Sequence, residues 1–282
     1  MTTVAILLDV KVFISSDMEG TAGVVDWSQC RRGDGDFEYY RGLLQAEVNA
    51  AILGAADAGA TEFLVNDSHT TMQNLRPDGL AGNARYLSGR HKPLYMMQGL
   101  DESFDAIFYV SYHGSMTAAA PLSHTYNPRA IASVALNGTV VGESGVNALA
   151  ALAHGVPVVL VTGDDVTVRE AQAVCPAIHG AAVKTAVSRF AADSLHPAAA
   201  CELIRTHARE AIAGLASAAL PAISLPVTLD VTYRNADLAE LATWIDGVVQ
   251  VGPTAVRITD DDPLRVFRRF IATVLLTRDI AE

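Results

Sequence analysis

The sequence predicts an α/β protein with a mixed, mostly parallel sheet, helices on both faces of that sheet, and a smaller C-terminal α+β subdomain. Residues 11–195 alternate β-rich and helical segments, which is the order typical of a parallel sheet covered by helices. Residues 156–162 form a continuous apolar run, as expected of a strand buried on both faces. The chain has 282 residues, 50% of them hydrophobic, enough for one large domain and a smaller one. We therefore predict an α/β domain at 11–195 and the α+β subdomain at 196–282.

The elements of the first domain follow from apolar periodicity and turn residues. Residues 38–58 repeat apolar side chains at helical spacing, and Gly59 then ends the helix. Asn137-Gly138 lies between two β-rich runs, so it predicts a hairpin whose antiparallel pair makes the sheet mixed. The predicted strands are 11–16, 61–66, 105–112, 131–136, 139–142, 156–162 and 182–185, and the predicted helices are 38–58, 144–153 and 167–174.

The C-terminal subdomain begins with a helical stretch at 197–217, which leads to Pro221 and Pro226. A strand–helix–strand–helix module follows these prolines, and its alternation predicts a small α+β unit. The module consists of predicted strands at 226–233 and 248–259 and predicted helices at 236–245 and 263–277.

The chain is acidic and sparsely charged, with a formal net charge of −11 and 18% charged residues. Nucleic-acid binding needs clustered Lys and Arg, and no basic run is present, so a nucleic-acid partner is excluded. The low charged fraction leaves little polar surface for a lone monomer. We therefore expect a homo-oligomer.

The sequence also predicts a location away from membranes. No stretch reaches the roughly 18 apolar residues of a membrane helix, and the N-terminus lacks the basic region of a signal peptide. We interpret residues 1–10 as a start-site extension. The three cysteines, Cys30, Cys175 and Cys201, are far apart, which predicts free thiols in a reducing cytoplasm.

Two carboxylates follow the first predicted strand. Asp17 and Glu19 are spaced i, i+2, so at a strand end both side chains point to the same side, and Gly20 allows the backbone to turn closely. Two adjacent carboxylates repel each other, and a divalent cation removes that repulsion. The alternative explanation is a helix N-cap with an exposed partner.

Three further metal-capable residues lie at the ends of other segments. His69 and His113 each follow a predicted strand, and Glu143 starts a helix after the hairpin. Taken alone, each histidine could be a hydrogen-bonded structural residue, and Glu143 could face a helix dipole. Ligands at the carboxyl ends of strands gather at one edge of an α/β sheet, so together with Asp17 and Glu19 they supply enough ligands for two divalent metal ions, zinc being the first choice. We expect Asp17 to bridge the ions and a metal-activated water to act as nucleophile.

His124 lies in the polar segment Leu122–Tyr126 rather than at a strand end. A loop histidine beside a metal pair could move a proton or stabilise a tetrahedral intermediate. The alternative is an ordinary surface histidine. Asp164 and Asp165 follow another predicted strand, where either could hold the α-ammonium of a substrate or cap a helix. Lys184 could face a carboxylate or the oxyanion, or lie on the surface.

Five short motifs occur in a fixed order, and together they resemble the M55 peptidase family, the D-aminopeptidases of the DppA type. The resemblance extends from about residue 11 to the C-terminus, and we see no departure at the ligand positions. The motifs are Ser-x-Asp-x-Glu-Gly at 15–20, Asn-Asp-Ser-His at 66–69, Tyr-His at 112–113, Ser-His at 123–124 and Gly-Glu-x-Gly-x-Asn-Ala at 142–148.

The resemblance implies a binuclear zinc aminopeptidase that releases N-terminal D-residues from short peptides. It also implies a ring-like decamer whose channel admits only small substrates. By matching position, Asp17 bridges both zincs, Glu19 and His69 complete one site, His113 and Glu143 complete the other, and His124 is the catalytic histidine.

Two other functions remain open from the residues themselves. The same ligands could serve another metal-dependent amidase or a phosphoesterase, although the sequence shows no glycine-rich phosphate loop and no arginine cluster near these residues. A non-catalytic, metal-dependent dipeptide-binding protein is the third possibility.

Overall fold

The computed structural model describes residues 9–281, so all but two residues of the predicted extension at 1–10 lie outside the described part. The strands are β1 (Val10–Ser16), β2 (Ala60–Asp67), β3 (Arg85–Leu87), β4 (Ala106–Tyr112), β5 (Ile131–Leu136), β6 (Thr139–Val140), β7 (Val158–Asp164), β8 (His179–Ser188), β9 (Ala191–Ser194), β10 (Val227–Tyr233), β11 (Val248–Gly252) and β12 (Ala255–Asp260). The helices are α1 (Phe37–Asp57), α2 (Glu143–His154), α3 (Asp165–Val174), α4 (Pro197–Ala213), α5 (Ala236–Ala242) and α6 (Pro263–Leu276).

A seven-stranded sheet in the order β3-β2-β1-β4-β7-β8-β9 carries the fold. Its strands are parallel except for β9, which pairs antiparallel with β8. Successive residues of a strand point to opposite faces. Accordingly, Val12 of β1 packs in one core with Val48 of α1 and Ile204 of α4, while Phe13 packs in the other core with Val146 of α2. The predicted α/β class, with a mixed, mostly parallel sheet covered on both faces, is confirmed.

The predicted hairpin does form, but it belongs to a different sheet. β5 and β6 join β10, β11 and β12 in a five-stranded antiparallel sheet of order β11-β12-β10-β5-β6. The expectation that this hairpin makes the main sheet mixed was therefore wrong, and β9 has that role instead. A turn signal is local, whereas the partner of β5 lies in β10, almost a hundred residues further along the chain. The second sheet thus takes strands from both sides of residue 195, and the division into domains at 11–195 and 196–282 stays a prediction.

Two short strands and one turn were missed. β3 and β9 have three and four residues, too few for a periodic pattern. The predicted strand at 248–259 is two strands, β11 and β12, separated by a turn at Pro253-Thr254. The remaining predicted strands and helices are present. No helix within residues 9–281 combines the length and hydropathy of a membrane span.

The sheet order brings three candidate segments together. β1 lies between β2 and β4, and Ser16 aligns with Asp67 of β2 and with Val110 of β4. Because the three strands are parallel, their carboxyl ends share one edge, where ligands bind in open α/β sheets. The segments that carry Asp17, His69 and His113 therefore lie side by side.

Candidate metal centre

The turn after β1 is held across the end of β4. The backbone nitrogen of Asp17 donates to the carbonyl of Val110 at 2.9 Å, and that of Gly20 donates to the carbonyl of Ser111 at 2.8 Å. A Cβ atom on Gly20 would lie 1.9 Å from the carbonyl oxygen of Tyr112. Only glycine fits there, which explains why the predicted close turn places Asp17 and Glu19 directly over the strand ends.

Lys184 of β8 holds the segment that follows. Its side chain is buried, and its Nζ donates to the carbonyls of Glu19, Thr21 and Val24. Each buried carbonyl needs a partner, and one ammonium supplies all three. Lys184 is therefore neither a surface residue nor a group that faces substrate. It stabilises the turn that carries Glu19.

Glu47 of α1 fixes the same turn from the other side. Its Oε1 accepts from the backbone nitrogen of Ala22 at 2.8 Å, and its Oε2 accepts from the Ser111 hydroxyl at 2.7 Å. Burial raises the pKa of Glu47 to about 7, against the opposing effect of these two hydrogen bonds. Sequence reasoning missed Glu47, although a glutamate beside Leu44 and Val48 on the buried side of a helix was a usable signal.

The first group of candidate ligands is Asp17, Glu19 and His69, all buried. His69 Nδ1 lies 3.3 Å from Asp17 Oδ1 and 2.9 Å from Glu19 Oε2. The other ring nitrogen, Nε2, lies 2.9 Å from the Cys30 carbonyl. Donation from Nε2 to that carbonyl leaves Nδ1 as the free lone pair, the arrangement that orients metal-ligating histidines.

The second group contains His113 and Glu143. His113 Nε2 lies 3.3 Å from Asp17 Oδ2 and 3.6 Å from Glu143 Oε1. Its Nδ1 lies 3.0 Å from the Gly114 carbonyl, so Nε2 is the nitrogen aimed at the carboxylates. Glu143 Oε1 also accepts from the backbone nitrogen of Tyr126 at 2.7 Å.

His124 lies in this second group as well. Its ring stacks on that of His113 with centroids 4.1 Å apart, and its Nε2 lies 3.6 Å from Glu143 Oε1. Its Nδ1 lies 2.9 Å from the Leu122 carbonyl. Burial, and then the neighbouring His113, lower the pKa of His124. The side chain is buried, not a surface histidine, and its proton-transfer role stays a prediction.

Asp17 connects the two groups, because its Oδ1 faces His69 and its Oδ2 faces His113. Burial acts to raise the pKa of Asp17, but the neighbouring imidazoles of His113 and His69 outweigh it and hold the pKa well below its usual range. The structure thus brings together all six predicted residues.

The donor set fits zinc. Asp17 Oδ2, Glu19 Oε2 and His113 Nε2 are buried and make no hydrogen bond within the described residues. Buried polar atoms are almost always satisfied, so unpartnered ligand atoms in both groups fit a site that holds cations. Carboxylate oxygens and imidazole nitrogens are zinc ligands.

A cavity of about 440 Å³ opens over Asp17, Glu19, His69, His124 and Glu143, whereas His113 is not among the residues that line it. Its wall contains Trp27, Tyr95 and Tyr126 beside the candidate ligands. It also contains an arginine cluster that the sequence did not reveal, formed by Arg31, Arg90, Arg129, Arg189 and Arg278. The sequence-based statement that no arginine cluster lies near the site was therefore wrong, because these arginines come from five distant segments.

The side chains of Asp164 and Asp165 accept hydrogen bonds from backbone nitrogens. Asp164 Oδ1 caps α3 by accepting from the backbone nitrogens of Val166 and Thr167, and its Oδ2 accepts from that of Gly114 at 3.2 Å. Asp165 Oδ1 accepts from the backbone nitrogen of Ala186 at 2.8 Å. Asp164 thereby holds the strand end beside His113, and neither aspartate is among the residues that line the cavity.

A third group of metal-capable side chains lies apart from the cavity. His179 of β8 and His207 and Glu210 of α4 have ligand atoms within 4.8 Å of one another. Both histidines are half-buried and Glu210 is exposed. Any count of bound metal ions must take this surface group into account.

Known proteins resemble this chain over nearly its whole length. The M55 peptidase family, described as D-aminopeptidase, matches residues 10–272. A D-aminopeptidase from Bacillus subtilis (strain 168) is 33% identical over 263 residues, which cover 93% of this chain and 95% of that protein. A solved structure described as the Zn-dependent D-aminopeptidase DppA from Bacillus subtilis, a self-compartmentalizing protease, matches with a TM-score of 0.89 and 31% identity. The match covers 95% of this chain and 97% of that one.

Proposed function

The chain belongs to the M55 family of D-aminopeptidases and is a metallo-aminopeptidase, and we propose that it holds two zinc ions per subunit and releases N-terminal D-residues from short peptides. The proposed ligands are Asp17 shared between the ions, Glu19 and His69 for one, and His113 and Glu143 for the other. The observation that carries the proposal is the position of Asp17, whose two oxygens face the two histidines of separate groups. Zinc is supported by the donor set and by the Zn-dependent protein that this fold matches.

The zinc ions, His124 and the backbone nitrogen of Tyr126 have different proposed roles in the reaction. When bound, two zinc ions supply Lewis acidity toward a scissile carbonyl and lower the pKa of a water molecule. His124 lines the cavity and is held at Nδ1 by the Leu122 carbonyl, and we propose that its Nε2 takes a proton from the attacking water and passes it to the departing amine. The Tyr126 backbone nitrogen fixes one oxygen of Glu143, which limits rotation of that carboxylate.

The substrate assay is a panel of matched D- and L-aminoacyl amides and dipeptides. We expect hydrolysis of the D-compounds, loss of turnover after chelation, and recovery when zinc is added back. A generic phosphate ester in the same panel tests the phosphoesterase alternative, which the arginine cluster makes worth including. Preference for L-compounds, or undiminished turnover in protein verified to be metal-free, would contradict the proposal.

The role of His124 is tested by His124→Ala. We expect this variant to retain both zinc ions and to lose turnover, because the proposed zinc ligands remain in place. The matched control is His154→Ala, since His154 lies outside the residues that line the cavity. Loss of zinc from the His124 variant would instead indicate that His124 is a zinc ligand.

The binding-protein alternative is tested on the wild type. Tight dipeptide binding without turnover in the zinc-loaded wild type would favour a non-catalytic binding protein.

We also propose a cytoplasmic homo-oligomer, with the decamer implied by the family resemblance as its expected size. Trp244, Val249 and Val251 are 73%, 62% and 50% exposed, the two valines lie on the edge strand β11, and we propose that these side chains contact a partner subunit. The three cysteines are free thiols, consistent with a reducing compartment. A mass near 29.8 kDa by light scattering, which is the mass of one chain, would refute the proposed oligomer.

A further inference from the structure

Five guanidinium groups line the cavity above the candidate metal centre, although the chain as a whole has a net charge of −11. Within residues 9–281, the arginines that form ion pairs are seven others, located elsewhere on the fold. The cavity arginines are therefore available to an anion from outside the chain. The same cavity contains the carboxylates of Asp17, Glu19 and Glu143, but in the described part of the chain none of them forms an ion pair with these five arginines, whose mutual repulsion an added anion would relieve.

A series of contacts connects Arg278 with Glu143 of the candidate metal centre. Its Nη2 donates to the hydroxyl of Tyr95 at 2.9 Å, and its guanidinium carbon lies 5.9 Å from the centre of that ring. The Tyr95 ring lies 5.6 Å from that of Tyr126, whose backbone nitrogen binds Glu143. Only one edge of the guanidinium is thus occupied, and the group is held at a set position relative to the carboxylates.

The other arginines of the cluster add positive charge to the cavity wall. The guanidinium of Arg31 lies 5.6 Å from the Trp27 ring centre, and the edge of Trp27 lies against His124 with centroids 5.3 Å apart. Arg189 has a buried Nε without a hydrogen-bond partner in the described residues. Arg90 and Arg129 are exposed and complete the cluster.

We propose that this cluster, which includes Arg278, binds the free C-terminal carboxylate of a short peptide whose N-terminal residue lies at the metal centre. The inference rests on the proposed aminopeptidase function and specifies its substrate class. Guanidinium groups bind carboxylates through paired, charge-assisted hydrogen bonds. A cavity of about 440 Å³ is in the range of small-molecule sites. Peptides with a free carboxylate within reach are thus preferred over amidated peptides.

The direct test compares one D-dipeptide with its C-terminal amide. We expect wild-type kcat/KM to favour the free acid by roughly 10- to 100-fold, as charged hydrogen bonds allow. In Arg278→Met this preference is expected to collapse through a raised KM for the acid, with kcat and the amide kinetics little changed. Arg278→Lys, which keeps charge but not the paired geometry, is expected to lie between. Arg268→Met is the control, because Arg268 is exposed on α6 and outside the cavity.

Two further measurements keep the test decisive. If Arg278→Met folds poorly because it loses the Tyr95 contact, Arg129→Met replaces it, since Arg129 is exposed, with a smaller expected loss of preference. Calorimetric binding of the acid and the amide to zinc-loaded protein gives an answer without turnover. Equal kcat/KM and equal affinity for acid and amide in the wild type, or a preference that survives both substitutions, would overturn the inference. Failure to hydrolyse either compound, with the acid still bound more tightly, would overturn the proposed function and leave the carboxylate site standing.

Discussion

The buried carboxyl of Glu47 gives a prediction whose size can be worked out. We consider Glu47→Gln, which keeps the shape of the side chain. The glutamine Oε1 can still accept from the Ala22 nitrogen, and its amide can donate to the Ser111 hydroxyl, so both contacts of Glu47 survive. Only the ability to ionise is lost.

The magnitude follows from the shift in pKa from 4.5 to about 7 that burial causes. The unfolded chain loses this proton as the pH rises above about 4.5, whereas the folded chain keeps it until about pH 7. The folded state binds more protons in that window, so stability falls with rising pH through it and the penalty is complete above pH 7. A shift of about 2.5 units corresponds to about 3 kcal/mol. Glu47→Gln is therefore expected to be more stable than wild type by about 3 kcal/mol at pH 8 and by less than about 1 kcal/mol at pH 5.

Urea denaturation of both proteins at pH 5, 6, 7 and 8 provides the assay. Protein and zinc concentrations are held fixed, because bound metal and subunit association shift apparent stability. Comparing the two proteins at each pH cancels the effect of pH on metal binding, provided that their m-values agree. A difference that stays constant with pH, or a wild type more stable than the variant at pH 8, would refute the raised pKa of Glu47 in the folded protein.

Two other substitutions test how the turn after β1 is held. Lys184→Met leaves the buried carbonyls of Glu19 and two neighbours without a donor, so we expect the free energy of unfolding to fall by about 3 kcal/mol or more and zinc to be lost more readily on dialysis. Zinc retention equal to wild type would show that the turn does not depend on this lysine. Gly20→Ala is expected to abolish zinc binding or folding, because its Cβ would lie 1.9 Å from the Tyr112 carbonyl oxygen. The control is Gly42→Ala, at an exposed position of α1 where an added Cβ would have no atom of another element within 4 Å. This variant is expected to raise the free energy of unfolding by up to about 1 kcal/mol. Equal zinc content and melting temperature in the two alanine variants would contradict the packing argument.

The candidate ligands could be predicted because each depends on local pattern. A strand that ends in a carboxylate or a histidine is visible in the sequence, and parallel strands bring their ends to one edge. Asp17, His69 and His113 follow β1, β2 and β4, which are neighbours in the sheet. The short motifs around these residues occur in a fixed order, and that order indicates the family.

The rest depends on long-range pairing that no local pattern records. Lys184 reaches the turn at Glu19 across 165 residues of sequence, so its role as a donor to carbonyls could not be predicted. The cavity arginines come from separate segments and meet only in the folded chain. The placement of the hairpin in a second sheet depends on β10, for the same reason.

The central claim is that two zinc ions share Asp17, and the zinc content of each subunit tests it most directly. Purified protein is dialysed to remove loosely bound metal, and zinc is counted by mass spectrometry in wild type, in Asp17→Ala and in His207→Ala, which removes the surface group. We predict about two zinc ions per subunit in wild type and in the His207 variant. The Asp17 variant is expected to lose both ions and remain folded. A single zinc ion in wild type, or unchanged zinc in Asp17→Ala, would contradict the shared-ligand centre.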